Sequence, residues 1–311
     1  MFLSICLLIV WFLLLIKWSD VLVDGASSIA KKFGVSSLVI WLTIVAFGSS
    51  APELVINMIS WYTWETDLAL SNILWSNISN ILLILWVTAI LYPIKLPKTT
   101  IKKEIPYLIF SAAILILLLF DKMISRFDAV VLSVMFAWFI WYTFKIAKNW
   151  TSSDEEVETM PTWKAGLFVV LGLAWLIGGG KLIVDSAVFI AEGFGLPQAF
   201  IGVTIVAIGT SLPELAVSVM AAIKKDTDMA IWAVVGSNIF NTLWILWATG
   251  MLANLPAYPG IEIDLWVNII ASMLIFAFAF TFKKHLLDRK EWIILVLAYL
   301  TYVGYLTAQV L

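Results

Sequence analysis

The stretch Ile40 to Leu54, "IWLTIVAFGSSAPEL", returns in the second half of the chain as Ile201 to Leu215, "IGVTIVAIGTSLPEL". In both copies an apolar run meets a glycine, two hydroxyl residues, a proline and a glutamate, ending at Glu53 and Glu214. The copies stand 161 positions apart, and the same register sets Asp24 on Asp185, Gly34 on Gly195, Ser76 on Ser237, Asn77 on Asn238 and Asn80 on Asn241. One ungapped register over roughly 80 residues is an internal repeat.

Working outward, 62% of the 311 residues are hydrophobic and only 13% are charged, too few charges to cover a globular surface. The chain reads as an all-α polytopic membrane protein. Apolar segments of roughly 17 to 25 residues, long enough to cross the hydrocarbon as helix, are expected near 2 to 29, 36 to 61, 68 to 93, 105 to 120, 127 to 147, 165 to 190, 197 to 222, 229 to 254, 265 to 282 and 291 to 310. The expected architecture is therefore ten transmembrane helices: a first five-helix repeat at 1 to 147, a linker at 148 to 164 and a second five-helix repeat at 165 to 311. An odd number of spans per half makes the second half enter the membrane from the opposite side, which gives two inverted repeats with a substrate site near the midplane.

The first segment has no basic leader and no small-residue cleavage site, so it is read as a retained span. Lysine and arginine collect on one side: Lys31, Lys32, Lys95, Lys98, Lys102, Lys103, Lys145, Lys148, Lys164, Lys224, Lys225, Lys283, Lys284, Arg289 and Lys290 fall in alternate loops, against Lys122 and Arg126 in the others. By the positive-inside rule both termini are expected outside, in a multi-pass plasma membrane protein such as a prokaryotic cell membrane carries. The acidic run Ser152 to Glu158 reads as a solvated linker. A single Cys6 builds neither a disulfide nor a thiolate metal site, and His285 reads as a loop histidine. No nucleotide-binding loop or catalytic triad is present, so no enzyme activity and no cofactor is expected. The only partners implied are the lipid bilayer and inorganic cations, with no nucleic acid and no protein.

Proline carries no N–H and collides with the carbonyl four residues back, so each helix is expected to open near Gly48 and Gly209 and to leave backbone oxygens unpaired. Ser49 and Ser50 in one half, Thr210 and Ser211 in the other, sit within a turn of that break. Glu53 and Glu214 follow, each costing about 2.5–3.5 kcal/mol or more at the bilayer centre. "SNISN" at Ser76 to Asn80 and "SNIFN" at Ser237 to Asn241 place a serine and an asparagine four apart on one helix face. A shell of oxygens alone suits Ca²⁺, and two carboxylates balance one divalent charge; the same oxygens can hold Na⁺. Asp20, Asp24, Lys181 and Asp185 are read as interfacial or paired charges.

"AFGSSAPE" with "SNISN", and "AIGTSLPE" with "GSNIFN", resemble the two alpha-repeats of the sodium/calcium exchanger family, within the calcium/cation antiporter superfamily, along nearly the whole chain. The resemblance implies a site made by the second, third, seventh and eighth helices, with the first and sixth sliding across that core to alternate access. By the family's motif Glu53 and Glu214 would hold Ca²⁺. Ser49, Ser50, Ser76, Thr210, Ser211 and Ser237, with the carbonyls of Ala46 and Ala207, would serve Na⁺ and Ca²⁺ between them, and Asn80 and Asn241 complete the ring. The activity implied is exchange of Ca²⁺ for Na⁺. Proton-coupled cation exchange is the alternative and a passive cation channel a more distant one.

Seventeen tryptophans against sixteen glycines is unusual for helices that must meet closely. In the repeat register Trp11, Trp18, Trp41 and Trp75 meet Gly172, Gly179, Gly202 and Gly236. Many of the tryptophans are accordingly expected to be UGA codons of an organism that reads UGA as glycine, and an indole at Trp75 is expected to hold apart helices that need to converge at Ser76.

Overall fold

Pro52 and Pro213 each occupy the first turn of a helix, where a missing N–H costs nothing, and in both cases the residue two before the proline ends the preceding helical turn. Ser50 has φ −81° and ψ 7° and Ser211 has φ −85° and ψ 6°, so the two halves break in the same way at the same repeat position. The structure is a computed structural model and describes residues 2–34, 36–64, 66–147, 160–195, 207–281, 285–287 and 289–310. The acidic run at 152–158, residues 197–206 of the seventh expected segment with Gly202, and Lys148, Lys283 and Lys284 lie outside the described residues.

The helices are α1 (Phe2–Phe33), the broken pair α2 (Leu38–Ser49) and α3 (Ala51–Tyr62), then α4 (Leu68–Leu91), α5 (Lys98–Asp121) and α6 (Arg126–Ala147). The second half continues with α7 (Thr162–Gly193), the short α8 (Ala207–Thr210), α9 (Leu212–Ile223), α10 (Thr227–Leu252), α11 (Ile261–Phe278) and α12 (Arg289–Val310). Seven of these are long and apolar enough to cross a membrane, and the α2–α3 pair, bent by 42°, makes an eighth if taken as one span. Of the remaining expected spans, the last is represented by Ile293–Gln309 of α12, apolar but shorter, and the seventh by α9, whose expected segment runs back into residues outside the described ones.

Burial separates the helices into a core and a periphery. α10 is buried over 94% of its most apolar window and α4 over 72%, against 22% for α1 and for α6. The central pair therefore carries the two Ser-Asn-x-x-Asn motifs, while α1 and α7 pack along each other on the outside. Both central helices widen into a π-helical turn just at or before the last asparagine of the motif, at Asn80–Ile84 and at Phe240–Ile245, and such single turns recur at functional sites.

Other backbone features recur in the repeat register. Gly34 and Gly195 have φ of 60° and 73°, and Trp64 and Lys225 have φ of 65° and 62°. Two-stranded antiparallel ladders tie the halves together at four short strands, β1 (Ile94–Lys95), β2 (Met123–Ile124), β3 (Leu255–Pro256) and β4 (Leu286–Leu287). β1 pairs with β4 and β2 with β3, so each ladder takes one strand from each half.

Close approach explains the glycines at the helix breaks and at the α1–α7 crossing. A Cβ on Gly48 would fall 2.3 Å from Leu173, and one on Gly209 would fall 2.1 Å from Val184, so α7 passes directly over both breaks. At the crossing a Cβ on Gly172 would lie 2.7 Å from the Cβ and 3.0 Å from the Cα of Leu22, whereas Gly178 has nothing within 4 Å. Gly172→Ala should therefore destabilise the protein by about 1–3 kcal/mol through overpacking, read as a lowered thermal midpoint of the detergent-solubilised chain. Gly178→Ala should leave that midpoint unchanged or raise it, and equal loss in both variants would contradict the packing described.

Candidate cation site

The paired breaks deliver their glutamates to one buried place. Glu53 and Glu214, in the first turns of α3 and α9, have no solvent exposure. Ser76 Oγ donates to Glu53 Oε1 at 2.8 Å, and Ser50 Oγ donates to Glu214 Oε1 at 3.4 Å, so a residue of the first half supports the acid of the second. Thr210 adjoins Glu53, and Ser49 and Ser237 adjoin Glu214. The hydroxyls also meet across the halves, Ser49 with Ser237 at 3.0 Å and Ser76 with Ser211 at 3.2 Å. The structure thus gathers Ser49, Ser50, Glu53, Ser76, Asn80, Thr210, Ser211, Glu214, Ser237 and Asn241 in the interior, all of them buried.

Asn80 and Asn241 are oriented by a clasp that the sequence reading did not assign to the site. Asn80 Nδ2 donates to Asn238 Oδ1 at 2.9 Å, and Asn241 Nδ2 donates to Asn77 Oδ1 at 3.1 Å and to Ser76 Oγ at 3.3 Å. Asn238 Nδ2 donates to the carbonyl of Asn77 at 3.0 Å, and Asn77 Nδ2 to Thr242 Oγ1 at 2.9 Å. With their N–H groups engaged, Asn80 and Asn241 keep their Oδ1 atoms without a hydrogen-bond partner. Glu53 Oε2 and Glu214 Oε2 are buried without a partner as well. Two repeat-related pairs thus provide four bare oxygens, all acceptors, where an unsatisfied group costs about 1–3 kcal/mol and a charged one more.

Further polar residues brace the site. Asn72 Nδ2 donates to the carbonyl of Glu53 at 3.2 Å and to Asn57 Oδ1 at 2.8 Å, and Asn57 Nδ2 reaches Thr249 Oγ1 at 3.4 Å. The repeat register contained a signal for Asn57 and Thr249, since it sets Asn57 on Ser218 and Thr88 on Thr249, polar residues in otherwise apolar helices, whereas Asn72 falls on Ala233.

Two expectations need correction. The carbonyl of Ala46 is not left unpaired by the break: it accepts the N–H of Ser50 at 3.1 Å and the Oγ of Ser49 at 3.3 Å, because the chain closes one more turn before Pro52 interrupts it. Ala207, in α8, stands at the corresponding repeat position. Nor does Trp75 hold the helices apart. Its ring is only partly buried and turns toward α11, with Nε1 donating to Asp264 Oδ2 at 2.8 Å and its edge against Tyr258, while Ser76 one residue later still reaches Glu53. At the repeat-related position only glycine fits, since a Cβ on Gly236 would lie 2.9 Å from the Cβ of Ala46 and 3.2 Å from the Cα of Leu42. Trp18 stacks on Trp175 at 5.3 Å, whereas Trp41 is fully buried with an unpartnered Nε1.

Outside the centre, Asp20 and Asp24 of α1 both pair with Lys224 at the end of α9, the Asp20 contact being 2.7 Å, which bears out the reading of these two as paired charges. Burial lowers the pKa of the Lys224 ammonium and the two carboxylates raise it, and the carboxylates prevail, holding it above its ordinary value.

A family model described as sodium/calcium exchanger protein matches residues 3–145 and 164–308. The chain is 37% identical to the putative antiporter CaxA of Alkalimonas amylolytica, over 93% of its length and 94% of the relative's. It is 29% identical to the sodium/calcium exchanger MaX1 of Methanosarcina acetivorans, over 95% and 96% of the two chains. Among solved structures, the sodium-calcium exchanger NCX_Mj superposes with a TM-score of 0.81 at 30% identity, covering 97% of this chain and 98% of the other. With a doubly repeated oxygen site at its centre and both halves matched, the chain belongs to the sodium/calcium exchanger family.

Proposed function

We propose that this protein is a secondary antiporter that exchanges Ca²⁺ for Na⁺ across the membrane. The observation that carries the reading is the quartet of buried oxygens without partners, Glu53 Oε2, Glu214 Oε2, Asn80 Oδ1 and Asn241 Oδ1. Hard cations take such oxygens, and Ca²⁺ accepts six to eight of them in an irregular shell. Glu53 and Glu214 supply the two negative charges that a divalent ion neutralises. Ser49, Ser50, Ser76, Thr210, Ser211 and Ser237 supply hydroxyl oxygens and the carbonyl of Ala207 a backbone one, whereas that of Ala46 joins them only by giving up its bonds from Ser49 and Ser50. Na⁺ draws on the same carboxylates, so the two ions compete for one pool of charge, and that competition couples their movements. The protein is a transporter and not an enzyme, and it needs no cofactor, since the ions are its cargo.

The architecture that accompanies this function is ten spans in two inverted five-helix repeats, 1 to 147 and 165 to 311, joined by a cytoplasmic linker at 148 to 164, with both termini outside. The paired breaks, the paired π-turns and the two reciprocal strand ladders support it. Alternating access would come from movement of the peripheral α1 and α7 across the central helices. The charge contacts of Asp20 and Asp24 to Lys224 would then be among those that part and re-form.

We also propose that the protein made by its own organism carries glycine at Trp11, Trp18, Trp41 and Trp75. Support comes from the four coincidences with glycine in the repeat register and from the buried, unpartnered indole N–H of Trp41. The accommodation of Trp75 beside Asp264 offers none. Peptides of the native protein read by mass spectrometry should contain glycine at these positions and the gene should carry UGA there; UGG codons would end the proposal.

Two measurements test the transport reading. Ca²⁺ uptake into proteoliposomes should be driven by an outward Na⁺ gradient and should stop when that gradient is removed. Uptake that followed a pH gradient and ignored Na⁺, or equal flux with no gradient at all, would overturn it. Separately, Glu53→Gln and Glu214→Gln should each abolish Ca²⁺ exchange while the protein still elutes as a folded species, because the amide keeps the shape but removes the balancing charge. Near-normal exchange in either variant would show that the central site is placed wrongly.

A further inference from the structure

Away from the ion pathway, α5 and α6 enclose a lipid-facing groove of about 640 Å³. Its walls are apolar, with Phe110, Val134 and Trp138 all exposed to the surroundings of the protein. One end is different: Lys102 and Lys103 line it, opposite Tyr142 on α6, and Lys103 Nζ stands 5.6 Å over the Tyr142 ring. Both lysines are exposed, and among the described residues neither has an ion-pair partner. The adjacent acid, Glu104, is buried and does not line the groove, but its carboxyl interacts electrostatically with Lys103 and with Tyr142. Lys145 lies on the same end of α6, over Trp141 at 4.7 Å, and is not part of the groove's lining.

The two ends therefore ask for different chemistry. A helical rise of 1.5 Å per residue from Glu104, where the helix resumes after a non-helical Lys103, puts Phe110 about 9 Å deeper than the lysine end, a depth that suits hydrocarbon and not a soluble anion. The volume lies within the ~300–1,000 Å³ of ordinary small-molecule sites. Basic residues at the mouth of an apolar slot between membrane helices recognise a phosphate-bearing headgroup. We propose that this groove is a binding site for one anionic phospholipid, with an acyl chain along Phe110, Val134 and Trp138 and the headgroup phosphate at Lys102 and Lys103. The site is independent of the cation centre, since none of its lining residues belongs to that centre.

The experiment is native mass spectrometry of the full chain released from detergent with phosphatidylglycerol or phosphatidylcholine of the same chain length. Wild type should retain one phosphatidylglycerol in strong preference to phosphatidylcholine. Lys102→Ala with Lys103→Ala should cut that preference by about thirtyfold, the worth of two basic residues facing an anionic headgroup. Val134→Trp, which fills the slot at an exposed position, should lower retention of the lipid while leaving Na⁺-driven Ca²⁺ uptake intact. Equal retention of the two lipids by wild type, or an unchanged preference in the double variant, would overturn the proposal. So would displacement of phosphatidylglycerol by inorganic phosphate, which would reduce the site to a simple anion patch, or a dimer abolished by Val134→Trp, which would assign the groove to a second copy of the chain.

Discussion

Two carboxylates share an interior from which solvent is excluded, and the rest of the molecule is arranged around that fact. Glu53 and Glu214 are held at the broken ends of facing helices with one oxygen each bonded to a serine and the other left bare. An isolated ionised carboxylate in a medium of low polarity is among the most expensive groups a protein can bury. No lysine or arginine has been provided to neutralise either one: among the described residues the ion pairs involve only Asp20, Asp24 and Glu262. The balancing charge is what the proposed cation cargo supplies.

The asparagines extend the same logic to neutral ligands. An amide has donors as well as an acceptor, and a donor pointed at a cation would repel it. The reciprocal contacts among Asn77, Asn80, Asn238 and Asn241 take up the donors and leave two carbonyl oxygens free. This clasp also fastens α4 to α10, the two most buried helices. In the proposed site, holding an ion and joining the halves fall to the same side chains, which ties the stability of the core to the geometry of the site.

Around this core the packing is graded. α7 crosses both breaks, Leu173 filling the space over Gly48 and Val184 that over Gly209, and α1 lies along α7 at Gly172. The charged contacts of Lys224 with α1 lie at the end of the helix, away from the glutamates.

Much of this was legible in the sequence, because a repeat is read by register. Glu53 with Glu214, Ser76 with Ser237 and Asn80 with Asn241 are paired by a single offset, and a proline before an acid in an apolar run announces a broken helix whatever surrounds it. The all-helical membrane class, the oxygen chemistry and the identity of the central helices follow from those local facts. Only the tertiary structure decided which atoms are spoken for. Ala46 turned out to accept hydrogen bonds within its own turn, Asn57 and Asn72 to brace the backbone of Glu53, and Trp75 to face Asp264 instead of its neighbour helix. The physical reason is that residue types and spacing set what a position can offer, whereas the rotation of an amide or an indole depends on which partners the fold brings beside it, 15 and 19 residues away for Asn72 and 189 for Trp75.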